Sequence, residues 1–160
     1  MVRRRVAMWL VVLAVGLAGA LAGCSSKPGN PSAASATVPA NPVVVIQAGR
    51  ATVSGTAASV LTTTEGLTLY YRTSDTLSSV CSGRCAATWP PLLLNSGRPT
   101  ATPTVQGELA VRSDINGRQV IVGGHPLYTY SGDTQAGEAS GNGVGGIWFA
   151  ATPDLGADEG

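Results

Sequence analysis

The stretch Gly66–Thr76, which reads Gly-Leu-Thr-Leu-Tyr-Tyr-Arg-Thr-Ser-Asp-Thr, recurs 58 positions later at Gly124–Thr134 as Gly-His-Pro-Leu-Tyr-Thr-Tyr-Ser-Gly-Asp-Thr. Five positions are identical at this offset, and they are Gly66/Gly124, Leu69/Leu127, Tyr70/Tyr128, Asp75/Asp133 and Thr76/Thr134. Further on, Trp89 corresponds to Trp148 if one residue is inserted. An internal repeat of this kind indicates a duplicated structural unit. The sequence therefore predicts one domain built from two related halves.

The repeated segments have the composition of β-strands. Leu67–Arg72 and the preceding Ala58–Thr64 are rich in β-branched and aromatic residues, and a glycine-containing turn separates them. In the second half, Asn116-Gly117 supplies the positive-φ positions of another hairpin turn. No apolar period of 3.6 residues persists over three turns after residue 50, so helix is expected to be a minor component. We predict a small antiparallel all-β domain over 51–160, with repeats at about 59–95 and 117–153.

The first 23 residues have the features of a secretory signal. Arg3–Arg5 form a positive region, and an apolar run follows to about Leu17. A segment of this length is too short to be a lasting membrane span, so we expect its removal. It ends in Leu-Ala-Gly before Cys24, which resembles the bacterial lipobox, where diacylglycerol is attached to the cysteine. We predict a signal peptide over 1–23 and palmitate-type acylation at Cys24.

Residues 24–50 are predicted to be the lipidated cysteine and a disordered linker. As far as about Pro42 they consist of Ser, Ala, Pro, Asn, Gly and Thr with one charge at Lys27, a composition that cannot offset the entropy of ordering. The apolar run Val43–Ile46 at the end of this segment is compatible with a first strand or with loose packing. The linker would hold the domain at the extracytoplasmic face of the cell membrane.

The charge of the mature chain limits its partners. After residue 23 there are seven basic and nine acidic side chains, so no basic stripe for nucleic-acid binding is present. The expected partners are the membrane, through the lipid anchor, and an unidentified component of the envelope.

Cys81 and Cys85 remain as a pair once Cys24 is assigned to the lipid. In an exported protein a disulfide is the default for such a pair, and closing so short a loop contributes roughly 2 kcal/mol. The alternative is a copper or redox carrier in which two thiolates and the single histidine, His125, bind Cu(I). Copper-delivery proteins with a thioredoxin-like fold share this Cys-x3-Cys spacing, but the βαβ units of that fold and methionine-rich copper ligation are both missing from this sequence. We therefore predict no metal and no other cofactor.

Tyr70 and Tyr128 are predicted to lie on the strand face opposite Leu69 and Leu127, because side chains alternate along a strand. We interpret them as core or rim aromatics whose hydroxyls find local partners. A binding surface is the alternative, and its candidate residues are Tyr70, Asp75, Trp89, Tyr128, Tyr130, Asp133 and Trp148.

Asp75 and Asp133 directly follow their strands. We expect each carboxylate to accept hydrogen bonds from the backbone amides of the turn two residues on. A calcium site or an acid–base pair are the alternatives. No third acidic residue clusters with either aspartate in the sequence, and no serine lies in a nucleophile elbow, so we predict that the protein is not an enzyme.

These motifs resemble a family of bacterial predicted lipoproteins known as the secreted repeat with a Tyr-x4-Asp motif. The two Tyr-x4-Asp units match its signature, and Cys81–Leu92 resembles its Cys-x3-Cys-Ala-x2-Trp-Pro-Pro segment; Gly143–Phe149 fits its second half. The family often has an aromatic residue two positions after the tyrosine, which is Tyr130 in the second copy but Arg72 in the first. The resemblance implies a location in the envelope and no established activity. We therefore predict a non-catalytic binding or structural role.

Overall fold

A computed structural model describes residues 41–76, 78–103 and 105–157. The predicted signal peptide, Cys24 and most of the predicted linker lie outside these residues. The elements in chain order are β1 (Pro42–Val53), β2 (Thr56–Thr62), β3 (Tyr70–Arg72), α1 (Arg84–Thr88), β4 (Arg98–Thr102), β5 (Leu109–Asp114), β6 (Gly117–Val122), β7 (His125–Pro126), a 3-10 turn (Val144–Gly146) and β8 (Trp148–Ala150). The predicted all-β class is confirmed. In the described part of the chain no helix is long and apolar enough to cross a membrane.

The strands form three small sheets, ordered β2-β1-β4, β3-β8 and β5-β6-β7. The hairpin predicted around Asn116-Gly117 is confirmed, since β5 and β6 pair in register from Leu109↔Val122 to Asp114↔Gly117. Its turn is fixed by Asp114, whose Oδ1 accepts the backbone N–H of Asn116 at 2.7 Å. One pairing differs from the antiparallel prediction, because β1 runs parallel to β4.

Residues 42–50, which the sequence placed in the linker, form most of β1. The predicted domain boundary is therefore about nine residues too late. Ile46 is the reason, because its side chain is only 1% exposed and packs in the core beside Leu61 and Leu69. A polar strand partner, Arg98–Thr102, closes the open edge of this strand.

The core has two parts, which lie on opposite faces of the repeated strands. The leucine cluster comprises Ile46, Leu61, Leu69, Leu94, Val105, Val120, Val122, Leu127 and Ala151. The aromatic cluster comprises Ala51, Val60, Tyr70, Cys81, Trp89, Tyr128, Ala139, Trp148 and Ala150. The predicted alternation is confirmed, since the repeated leucines belong to one cluster and the repeated tyrosines to the other.

Three backbone hydrogen bonds join Leu61, Leu69 and Ala151 in a closed ring. The N–H of Leu61 donates to Ala151 O at 2.7 Å, that of Ala151 to Leu69 O at 2.8 Å, and that of Leu69 to Leu61 O at 2.8 Å. Two members of this ring belong to the first repeat, whereas Ala151 belongs to the second. The first half of the domain is therefore completed by the last strand of the other half.

An equivalent ring exists in the second half. The N–H of Val120 donates to Leu92 O at 2.9 Å, that of Leu92 to Leu127 O at 2.9 Å, and that of Leu127 to Val120 O at 3.0 Å. Here the member from the other repeat is Leu92, which follows the Trp-Pro-Pro segment of the first copy. The final segment of each repeat is thus hydrogen-bonded to the strands of the other repeat. The equivalence of the two rings relates the halves by an approximate twofold axis.

Candidate functional site

The approximate twofold axis passes between Tyr70 and Tyr128. Their backbones form a reciprocal pair, in which the N–H of each donates to the carbonyl of the other at 2.8 and 2.9 Å. Trp89 and Trp148 meet at the same axis, with parallel rings whose centroids are 3.8 Å apart. The edges of the tyrosine rings pack against this tryptophan pair, Tyr70 on Trp89 at 5.4 Å and Tyr128 on Trp148 at 5.2 Å. The residues shared by the two copies therefore form one symmetric centre.

Each tyrosine hydroxyl donates a hydrogen bond to the aspartate of the other repeat. Tyr70 Oη donates to Asp133 Oδ2, and Tyr128 Oη donates to Asp75 Oδ2 at 2.6 Å. The prediction of local partners is wrong, since the paired residues are 63 and 53 positions apart. The reciprocal backbone pairing of Tyr70 with Tyr128 places each tyrosine beside the opposite copy, where it meets that copy's aspartate.

The tyrosine hydroxyls also accept hydrogen bonds from the backbone. Tyr128 Oη accepts the N–H of Cys81 at 3.2 Å, and Tyr70 Oη accepts that of Gly141 at 3.3 Å. Position 141 requires glycine for this approach, since a Cβ there would lie 2.8 Å from Cη2 of Trp89. Both phenols are fully buried, and burial raises the pKa of each well above its ordinary value, with the hydrogen bond and charge of the paired aspartate adding to the effect. They therefore keep their protons and donate hydrogen bonds to the carboxylates.

The two carboxylates have different second partners. Asp75 Oδ1 accepts a hydrogen bond from Arg72 Nε at 2.5 Å and forms an ion pair with Arg72 Nη2. Asp133 Oδ1 accepts the backbone N–H of Ser140 at 2.9 Å. Asp75 is thus in contact with a positive charge, whereas the hydrogen-bond donors to Asp133 are neutral.

The predicted turn-fixing role of the aspartate side chains is wrong. The turns are closed by the backbone, because the N–H of Asp75 donates to Arg72 O at 3.1 Å and that of Asp133 to Tyr130 O at 3.0 Å. The side chains are directed into the core instead, where the Asp75 carboxylate is fully buried and Asp133 is 6% exposed. This arrangement gives neither the solvent-exposed acid–base pair nor the calcium site that the sequence left open.

Arg72 and Tyr130 occupy equivalent places at the two ends of the tryptophan pair. The Tyr130 ring lies 4.5 Å from that of Trp89, and the Arg72 guanidinium lies 5.7 Å from the ring of Trp148. The departure from the family pattern at Arg72 therefore replaces an aromatic contact with a cation–π contact. The result is a four-layer stack in the order Tyr130, Trp89, Trp148 and Arg72.

The structure contains the predicted disulfide between Cys81 and Cys85, whose Cα atoms are 5.4 Å apart. It holds α1 in place, and the same segment supplies the amide that bonds Tyr128. His125 packs against the ring of Tyr71 at 4.9 Å. No group of three or more His, Cys, Asp or Glu side chains in residues 41–76, 78–103 and 105–157 is arranged to hold a metal. The three proposed copper ligands are thus not brought together.

The surface beside the disulfide loop carries a cleft that the sequence did not predict. Its volume is about 360 Å³, and its lining residues are Ser78, Ser79, Val80, Ser82, Ser113, Asp114 and Ile115. Ile115, at the tip of the β5–β6 hairpin, is 81% exposed. The serine-rich run before Cys85 was the available signal, but nothing in the sequence places this run next to the hairpin.

The fold and the site define a duplicated, all-β protein in which two copies of a Tyr-x4-Asp unit complete each other's core. A family model described as a secreted repeat of unknown function matches residues 51–93 and 111–152, one match for each copy. The chain belongs to this family of lipoprotein repeats. No curated protein and no solved structure matches the chain.

Proposed function

We propose that this protein is a lipid-anchored component of the cell envelope with a non-catalytic binding role. The observation that carries the proposal is the burial of the family motif, since its tyrosines, aspartates and tryptophans are engaged with one another inside the domain. Side chains used in this way hold the two repeats together, and their burial keeps a bound ligand from contacting them directly. Recognition of a partner is then left to the outer surface.

The serine-rich cleft is the surface that we assign to binding. Serine hydroxyls both donate and accept hydrogen bonds, so a wall of several serines suits a polar, uncharged ligand such as a segment of an envelope glycan. Asp114 also lines the cleft, where its Oδ1 already accepts the backbone N–H of Asn116. The exposed side chain of Ile115 offers an apolar contact at the edge.

Blocking the cleft will reduce capture of envelope glycan. Full-length protein, purified in detergent and immobilised, is incubated with solubilised envelope polymer, and the retained sugar is measured. We expect Ser79→Trp to lower retention about tenfold, equivalent to about 1.4 kcal/mol of binding free energy. Ser96→Trp is the matched control, because Ser96 is also exposed but does not line the cleft. The assignment would be contradicted if the two variants retained equal amounts of sugar, or if the wild-type protein retained no sugar.

Removing the predicted acylation site will release the protein from the membrane. In cells given labelled palmitate, we expect Cys24→Ala to lose the label and to leave the membrane fraction, since each buried methylene of an acyl chain contributes about 0.8 kcal/mol and no second anchor is proposed. The double variant Cys81→Ala/Cys85→Ala should keep the label. An unlabelled Cys24→Ala protein that still sediments with membranes would refute lipid anchoring at this position.

A further inference from the structure

The three aromatic layers of the four-layer stack, Tyr130, Trp89 and Trp148, form a continuous path from the surface to the buried tyrosines. The ends of the stack, Tyr130 and Arg72, are partly exposed, whereas Trp89 and Trp148 are each 4% exposed. The two indoles are parallel to within 3° and 3.8 Å apart, so their π-systems overlap. Because of this overlap, an electron hole formed by loss of one electron from the pair would be shared by both indoles.

Each buried phenol next to this pair has a proton acceptor in place. An oxidised phenol loses its proton at once, and in a buried site the proton needs a base within hydrogen-bond reach. Asp133 and Asp75 meet this requirement, since they already accept the hydrogen bonds of Tyr70 and Tyr128. The aspartates are thus placed to accept a phenolic proton, in addition to joining the two repeats.

We propose that the aromatic cluster is a one-electron donor site that passes an electron to a strongly oxidising organic radical, whose reduction potential lies above that of the indolyl radical cation. The oxidant gains one electron from the Trp89–Trp148 pair, which becomes an indolyl radical cation. The pair then regains one electron from Tyr70 while the phenolic proton moves to Asp133. The net products are the reduced oxidant, a Tyr70 phenoxyl radical and a neutral Asp133 carboxyl group.

The stable radical forms on Tyr70 and not on Tyr128. A proton that moves from Tyr70 to Asp133 enters a carboxyl group whose hydrogen-bond donors, Tyr70 and the Ser140 amide, are neutral. The equivalent transfer from Tyr128 would neutralise Asp75 and so break its ion pair with Arg72. The asymmetry between the two copies, which begins with Arg72 in place of an aromatic residue, therefore selects one of two otherwise equivalent tyrosines.

Flash photolysis tests this proposal on the full chain in detergent. A photo-oxidised ruthenium polypyridyl complex serves as the one-electron oxidant, and the indolyl and phenoxyl radicals are followed by transient absorption and electron paramagnetic resonance. We expect the phenoxyl to grow as the indolyl decays. Asp133→Asn should slow this growth by roughly 10²-fold, the lower end of what a positioned proton acceptor contributes to a rate. Tyr71→Phe, which alters a ring that packs against His125 outside the stack, should leave it nearly unchanged.

Two further readouts separate proton transfer from a purely structural effect. Near-ultraviolet circular dichroism of the stacked tryptophans reports whether Asp133→Asn retains the native centre. If that variant does not fold, wild-type protein equilibrated in deuterated water replaces it, and we expect slower phenoxyl growth than in ordinary water. The proposal would be overturned if the indolyl decay did not respond to Asp133→Asn or to deuterium. It would also be overturned if Tyr70→Phe still gave a phenoxyl spectrum.

Discussion

Cutting the chain between Pro103 and Val105 will give two fragments that are unfolded when separate and that fold when mixed. Both core clusters divide nearly evenly at this point, with four of nine members of the leucine cluster and five of nine of the aromatic cluster in fragment 42–103. Each fragment also lacks one member of its own backbone hydrogen-bond ring. Chains of this length with half a core bury too little apolar surface to offset their conformational entropy.

The tryptophan pair provides a direct readout of this assembly. Fragment 42–103 contains only Trp89 and fragment 105–157 only Trp148, so the exciton signal of stacked indoles can arise only in the complex. We expect the signal and cooperative thermal unfolding to appear together on mixing at equal concentrations. Trp89→Phe in the first fragment is the control that should remove the exciton signal. Cooperative unfolding of either fragment alone would show that a repeat is self-sufficient and would refute the exchanged architecture.

The duplication, the β class and the opposite faces of Leu69 and Tyr70 could all be predicted, because each depends on local pattern or on internal comparison. The partner of Tyr70 was missed because its hydroxyl was expected to find a local partner. Asp133 lies 63 positions away and becomes a neighbour only when the two copies pack together, which no local pattern reveals.

The first strand and its parallel partner were harder to predict. β1 begins inside a segment of linker-like composition, and its apolar run, Val43–Ile46, is only four residues long. β4 has the sequence Arg-Pro-Thr-Ala-Thr, in which a proline normally argues against a strand. This pairing is possible because β4 lies at an edge of its sheet. Both strands depend on tertiary contacts with the leucine cluster, which no local pattern reveals.

Tyr70→Phe will lower the free energy of unfolding by about 3 kcal/mol, a large part of the 5–15 kcal/mol typical of a domain. The cost is high because the buried Asp133 carboxylate would keep only the Ser140 amide as a partner. Tyr128→Phe should cost about half as much, since Asp75 would retain its ion pair with Arg72. Urea unfolding of each variant, followed by tryptophan fluorescence, measures both values.

A double-mutant cycle will show which aspartate each tyrosine contacts. Once Asp133→Asn has removed the buried charge, Tyr70→Phe should cost about 2 kcal/mol less than it does in the wild type, which is the coupling expected for a hydrogen bond to a charged group. The cycle of Tyr70→Phe with Asp75→Asn should give a coupling near zero, because those residues are in the same copy but not in contact. The cycles that begin from Tyr128→Phe should show the reverse, with coupling to Asp75 alone. If the larger coupling were found within a copy, the motif would be two local pairs, and crossed tyrosine–aspartate contacts would not hold the repeats together.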